Sequence, residues 1–180
     1  ALCGPVVAAA VSLPKGVKLE GVRDSKSLTP RQREQLYPLI LNSCLSFGIG
    51  RVDSVVIDRV NILEATFLAM RRALNRLRLT PEQVLVDGLL TIPGVALAQT
   101  AVIRGDEKSV SIACASIVAK VVRDRLMECY DLKFPRYRFH KNKGYPTREH
   151  VEAILKYGPC EIHRRSFRPL RHYLLRGGYG

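Results

Sequence analysis

From Gly4 to Leu13 the chain is a nearly unbroken run of small apolar and β-branched residues, GPVVAAAVSL. Such a run does not alternate polar with apolar, so a strand built from it is covered on both faces, and such strands belong to sheets flanked by helices. The rest of the chain supplies the alternating elements. Thr29-Pro30 reads as an N-cap with proline at the first helical position, opening a helix towards Leu41 in spite of Pro38. Ser46 to Val52 is a short strand with two glycines. Asn61 is expected to start one long amphipathic helix to about Leu79, with Ile62, Ala65, Thr66, Ala69, Ala73 and Leu77 on its apolar face. Gln83 to Asp87 (QVLVD) is an apolar strand ending in a carboxylate, and Gln99 to Ile103 is another, closed by Arg104-Gly105-Asp106. An Ala-rich helix follows from Ser109 to about Tyr130, and a further one, capped at Thr147, carries Val151, Ile154 and Leu155. Strands alternating with helices define an α/β class.

No apolar run reaches the ~20 residues of a membrane span, and the opening ALCGPVVAAAVSLP has no basic segment of a secretory signal. A soluble, cytoplasmic protein is expected. The five cysteines, Cys3, Cys44, Cys114, Cys129 and Cys160, are odd in number and never spaced as CxxC. They read as reduced thiols, with neither a complete disulfide framework nor a zinc site indicated.

The formal net charge is +13, from 29 Lys and Arg against 16 Asp and Glu. Most of that excess lies from Lys133 onward, where Glu149, Glu152 and Glu161 are the only acids. The cations there are interleaved with Phe134, Tyr137, Phe139, Tyr145, Tyr157, Phe167, Tyr173 and Tyr179. Cations among aromatics suit a phosphate backbone with accessible sugars or bases, and the same composition also fits a solvated basic face. The division expected is a domain over residues 1–132 and a small, basic, helical subdomain over 133–180.

Two carboxylates stand where chemistry could use them. Asp87 closes an apolar strand, and ligands gather at the carboxyl ends of strands in α/β sheets. Asp106 follows a second strand and precedes a helix, whose N-terminal end favours an anion. Singly, each is a turn former or a helix-start residue. Together, on strands that could be neighbours, they resemble half of a divalent-metal site. Asp24-Ser25-Lys26 offers a turn, a hydroxyl and a cation to a phosphate, or is a plain surface turn. In the run His140 to Thr147, Gly144 permits close backbone approach and Tyr145 presents a flat face.

The combination GPVVAAAV, DSKSL, IDRVNILEATFLAMRRA, VLVDG, GDEKSVSIACASIVAKVVRDR, HKNKGYPTREH and HRRSFRP resembles bacterial ribonuclease HII over essentially the whole chain. That resemblance implies a ribonuclease H-like mixed sheet flanked by helices, and a metal-dependent endonuclease. It would cut the RNA strand of RNA:DNA hybrids and incise at single ribonucleotides in duplex DNA, leaving 5′-phosphate and 3′-hydroxyl ends. Mn²⁺ or Mg²⁺ is the implied cofactor, and a cytoplasmic monomer the implied form. Asp87 and Asp106 match catalytic metal ligands of the family, and Tyr145 matches a tyrosine that packs on the sugar at the ribo-to-deoxyribo junction. Ser25 and Lys26 match phosphate-contacting residues, and Lys120, Arg123, His163, Arg164 and Ser166 are assigned to backbone contact. The family's adjacent Asp-Glu pair and Gly-Arg-Gly turn fall ahead of Ala1, so two of four carboxylates and the first, central strand are expected to be missing. A catalytically depleted fragment that only binds nucleic acid is therefore the alternative. A small RNA-binding protein of ribosomal type would suit the charge but has no need of carboxylates closing apolar strands.

Overall fold

The computed structural model describes residues 1–22, 27–168 and 170–175. In chain order the elements are β1 (Val6–Ser12), α1 (Pro30–Ser43), β2 (Ser46–Val52), α2 (Ser54–Val60), α3 (Ile62–Leu74), β3 (Gln83–Asp87), β4 (Ala98–Val102), α4 (Gly105–Lys108), α5 (Val110–Lys133), a single 3₁₀ turn (Pro135–Tyr137), α6 (Phe139–Asn142), α7 (Arg148–Tyr157) and α8 (Leu170–Leu175). The chain divides into two compact units. A terminal unit holds Ala1–Val6, Val52–Ala65 and Val122–Gly180, and a sheet unit holds Val7–Arg51 and Thr66–Val121.

In the sheet unit, β1 pairs with β2 and β3 with β4. The apolar run of β1 is half-buried along its whole length, with β2 as its strand neighbour among the described residues. Strands β3 and β4 run parallel, with Gln83 opposite Ala98 and Asp87 opposite Val102. Thr29 caps α1 reciprocally: its hydroxyl accepts from the Gln32 N–H at 3.3 Å and the Gln32 side chain accepts from the Thr29 N–H at 2.8 Å. The cap holds a helix that continues through Pro38. Ile40 of α1 then meets Cys114, Ile117, Val118 and Val121 of α5, and Ala9, Val11 and Ile49 from the strands pack against this group. The spacing of those four α5 residues places them on one helical face. A second apolar cluster joins Val84 and Val86, alternate residues of β3, to Phe67 of α3 and to Ile92.

The two glycines of β2 have a specific use. A Cβ on Gly48 would lie 2.0 Å from the carbonyl oxygen of Ala73, and one on Gly50 1.8 Å from that of Ala69. The backbone of α3 therefore rests directly on β2, which only glycine permits. Arg72 and Arg76 reinforce the contact by donating to the carbonyls of Arg51 and Ile49. This docking also ends α3 at Leu74, short of the predicted Leu79. The next residues form tight turns, and the Arg78 N–H donates to Ser46 Oγ at 2.8 Å instead of continuing the helix.

In the terminal unit the helix expected from Asn61 begins there as α3, and a second helix that the sequence does not indicate, α2, precedes it. Asn61 has φ 74°, closes α2 with its N–H bonded to Ile57 O, and caps α3 by accepting at Oδ1 from the N–H groups of Leu63 and Glu64. Helix α2, SVVIDRV, is rich in β-branched residues and carries no helical signal of its own. The core of this unit comprises Leu2, Cys3, Met127, Tyr137, Phe139, Ile154, Ile162 and Leu170. Tyr137 stacks on Phe139, with ring centroids 5.4 Å apart, and donates its hydroxyl to Gly158 O at 2.6 Å. The chain start joins this core through main-chain bonds from Leu2 N to Gly144 O, Gly4 N to Ile162 O and Arg164 N to Leu2 O.

Candidate catalytic and nucleic-acid-binding residues

Asp87 is the last residue of β3 and is exposed. The neighbouring parallel strand β4 leads through Ile103 and Arg104 into α4, where Asp106 is buried. The two carboxylates thus emerge from the carboxyl ends of adjacent strands. Their connection is direct: the Gly105 N–H donates to Asp87 Oδ1 at 2.8 Å. A Cβ at Gly105 would stand 3.2 Å from that same oxygen and 2.6 Å from Ile112 Cδ1. Arg104, in the left-handed region at φ 55°, turns the chain and binds the second acid of the segment, Glu107, through Nε and Nη2 at 2.7 Å each. The sequence pattern puts Asp106 ahead of a helix; it lies within the short α4. Two carboxylates form an all-oxygen donor set, which suits a hard divalent cation such as Mg²⁺ or Mn²⁺.

In the terminal unit, Tyr145 sits on a turn built by a buried asparagine. Asn142 donates its amide to Tyr137 O at 2.7 Å and accepts from the Gly144 N–H at 2.8 Å, while its carbonyl accepts from the Tyr145 N–H. Gly144, at φ 81°, is indispensable here, since a Cβ would fall 2.8 Å from Cys3 Sγ. The Tyr145 carbonyl accepts from His150 Nδ1 at 2.8 Å, and the ring, half-exposed, carries the Arg123 guanidinium 5.5 Å from its centroid. The result is a fixed aromatic face beside a cation.

The HRRSF segment is divided in its roles. Arg164 is buried, with Nε donating to Gly4 O at 3.1 Å and Nη1 to Ala1 O at 3.2 Å. Burial, followed by the neighbouring Arg123 charge, lowers its pKa to about 10. His163 is also fully buried, bonded to His150 and to Cys160. Arg164 and His163 therefore tie the unit together rather than meeting solvent. Arg165 and Ser166 are exposed, and Asp58 holds their main chain: Oδ2 accepts from the Arg165 N–H at 2.9 Å and Oδ1 from the Ser166 N–H at 3.0 Å. Lys120 is half-buried in the sheet unit, and Ser25 and Lys26 lie outside the described residues.

Asp58, Asn142 and His150 carry no mark in the sequence that singles them out. Asp58 looks like any helix carboxylate, and only the regularity of KNKGYPTREH hints that the asparagine and histidine serve the Tyr145 turn.

The family profile described as Ribonuclease HII matches residues 1–169. A ribonuclease HII of Caldicellulosiruptor bescii is 54% identical over 166 residues, covering 92% of this chain and 80% of that protein. Among solved structures, the ribonuclease H2 of Pyrococcus horikoshii superposes with a TM-score of 0.77 at 27% identity, covering 97% of this chain and 92% of the other. Bst-RNase HIII, solved in complex with Mn²⁺, superposes with a TM-score of 0.70 at 18% identity, covering 97% and 66%. The fold is that of ribonucleases H.

Proposed function

The chain belongs to the ribonuclease HII family and is a ribonuclease H-type hydrolase, and from that premise we propose a metal-dependent endonuclease with Asp87 and Asp106 as its metal-holding acids. Its substrates are the RNA strand of RNA:DNA hybrids and single ribonucleotides in duplex DNA, and its products carry 5′-phosphate and 3′-hydroxyl ends. The observation that carries this reading is the Gly105–Asp87 bond, which couples the exposed carboxylate to the loop that presents Asp106. Asp87 and Asp106 would hold Mn²⁺ or Mg²⁺, which when bound activates a water and neutralises charge on the scissile phosphate.

The protein's own groups do the positioning. The Gly105 N–H takes one lone pair of Asp87 Oδ1 and so orients the carboxylate before any ion arrives. Tyr145, fixed by Asn142 and His150, offers its face to a sugar, while the guanidinium groups of Arg123 and Arg165 supply donors to the phosphate backbone, and Ser166 does so when its hydroxyl exchanges Asp58 for phosphate. Ser25, Lys26 and Lys120 complete the phosphate contacts of this reading.

Cleavage of an end-labelled hybrid, and of a duplex carrying one ribonucleotide, tests it with Mn²⁺, Mg²⁺ or chelator present. Asp87→Asn is expected to abolish metal-dependent cutting and to retain hybrid binding. Cutting by Asp87→Asn at the parent rate would overturn the assignment, and tight hybrid binding without cutting by the parent chain would establish the binding-only alternative.

A further inference from the structure

One cluster outside the acidic residues gathers groups that ligate metals. Cys3, His150 and His163 are fully buried in the terminal unit, and one ligating atom from each lies within 4.8 Å of the other two. The main chain brings them together. Cys3 faces His163 in an isolated antiparallel bridge, flanked by bonds of 2.9 Å from Gly4 N to Ile162 O and from Arg164 N to Leu2 O. His150 stands in the first turn of α7, its N–H bonded to the capping Thr147 hydroxyl.

The surrounding hydrogen bonds assign the ring protons. His150 Nδ1 lies 2.8 Å from the Tyr145 carbonyl, which can only accept, so Nδ1 carries the proton and Nε2 presents a lone pair. That lone pair faces His163 Nε2 at 3.1 Å. His163 Nδ1 accepts from the Cys160 N–H at 3.0 Å, with Cys160 Sγ 3.1 Å away, so the His163 proton sits on Nε2 and is donated to His150. Two neutral imidazoles thus share one proton across this buried contact. Burial, with His150 alongside, lowers His163 to about 4.

We propose that Cys3 Sγ, His150 Nε2 and His163 Nε2 form a binding site for a thiophilic d¹⁰ cation of the Zn²⁺ type. The spacing fits: nitrogens ~2.0–2.1 Å from a tetrahedral zinc lie about 3.3 Å apart, close to the 3.1 Å between the two Nε2 atoms. The outer contacts fit as well, since a metal-bound histidine gives its other N–H to a carbonyl, as His150 does to Tyr145. On binding, the His163 proton moves from Nε2 to Nδ1, which gives up the bond it accepts from the Cys160 N–H and donates to Cys160 Sγ instead, and the Cys3 thiol releases its proton to solvent. Without an ion, burial pushes that thiol up to about 12, with Arg123 and Arg164 pulling the other way. A bound dication reverses that balance, because a coordinating thiol is deprotonated outright. Ligands at positions 3, 150 and 163 leave no CxxC-like signature, which is why cysteine spacing indicates no zinc site.

The test titrates the chelator-treated full chain with Co²⁺ and then with Zn²⁺. One equivalent of Co²⁺ should raise a sulfur-to-cobalt charge-transfer band that Zn²⁺ removes, and Zn²⁺ should raise the thermal midpoint. Cys3→Ala, which removes the thiol and leaves the histidine bonds in place, should lose the band and bind Zn²⁺ at least ~10-fold more weakly. Cys129→Ala, at an exposed thiol, and Asp87→Asn should keep both properties, which separates this site from the acidic residues. Circular dichroism confirms that each variant is folded. Absence of the band in the parent chain, or its persistence in Cys3→Ala, overturns the proposal.

Discussion

Asp58 Oδ1 accepts twice from Ser166, from the main-chain N–H at 3.0 Å and from the hydroxyl at 2.6 Å. The second carboxylate oxygen takes the Arg165 N–H at 2.9 Å, so one side chain holds the exposed end of the HRRSF segment. Hydrogen bonds to a charged group are each worth about 1.5–3 kcal/mol. Asp58→Ala should therefore free this loop, lower the thermal midpoint, and weaken hybrid binding several-fold, with Asp58→Asn intermediate. Equal hybrid affinity for Asp58→Ala and the parent, measured by fluorescence anisotropy, would separate the loop from binding.

Gly105 is a second sensitive point. An added methyl would press on Ile112 Cδ1 and crowd Asp87 Oδ1, and overpacking of this kind costs about 1–3 kcal/mol. Gly105→Ala should lower both stability and turnover. Adding Ile112→Val, which removes the methyl nearest the new Cβ, should recover stability more fully than turnover, because the crowding of Asp87 remains. Melting curves and saturated cleavage rates give the two numbers.

Tyr145→Ala should reduce saturated cleavage more than hybrid affinity, since the ring positions a sugar while cations supply most of the attraction. Tyr145→Phe should stay near the parent, because the stacking face and the Arg123 contact do not need the hydroxyl. Equal losses of affinity and turnover in Tyr145→Ala would contradict a positioning role.

Several cations of the basic segment are already matched to acids: Lys133 to Glu161 and Lys143 to Glu128 at 2.6 Å, and Arg148 to Glu152 at 2.7 Å. Exposed pairs of this sort contribute roughly 0–1 kcal/mol, so phosphate can displace the acid with little loss. Lys141, Arg165 and Arg168 are also exposed. Replacing these three with alanine should flatten the plot of log affinity against log salt, by about 0.9 for every phosphate of B-form DNA that is no longer neutralised. An unchanged slope would place the binding surface elsewhere.

The strands are legible in the sequence because each is an apolar run bounded by turn residues, and β2 and β3 start and end where that pattern puts them. Asp87 is legible for the same reason, as a carboxylate closing such a run. Helix α2 is not, because its valines and isoleucine favour strands locally and only packing makes them helical. The paired role of Asn61, ending one helix and starting another, needs a positive φ that asparagine tolerates but does not announce. HRRSF illustrates the limit best. Its composition reads as a surface for phosphate, yet Arg164 is buried because Ala1 and Gly4, far away in sequence, arrive to accept its bonds, and His163 is buried against His150 and Cys160.

That long reach bears on the order in which the chain acquires structure during synthesis. Arg164 bonds Gly4 across 160 positions, and the terminal unit draws on both ends of the sequence as well as its middle. Residues Leu2 to Gly4 therefore emerge from the ribosome long before the main chain they pair with exists, whereas all of the sheet unit is complete by Val121. The sheet unit is placed to fold first, and closure of the ends is the late, slow event that non-local pairing imposes. In pulse-labelled hydrogen exchange the amides of Ile117 and Val118 should gain protection before those of Leu2, Gly4 and Arg164. Proteases acting on nascent chains should cut around Leu2 to Gly4 until the segment around Ile162 to Arg164 has been made.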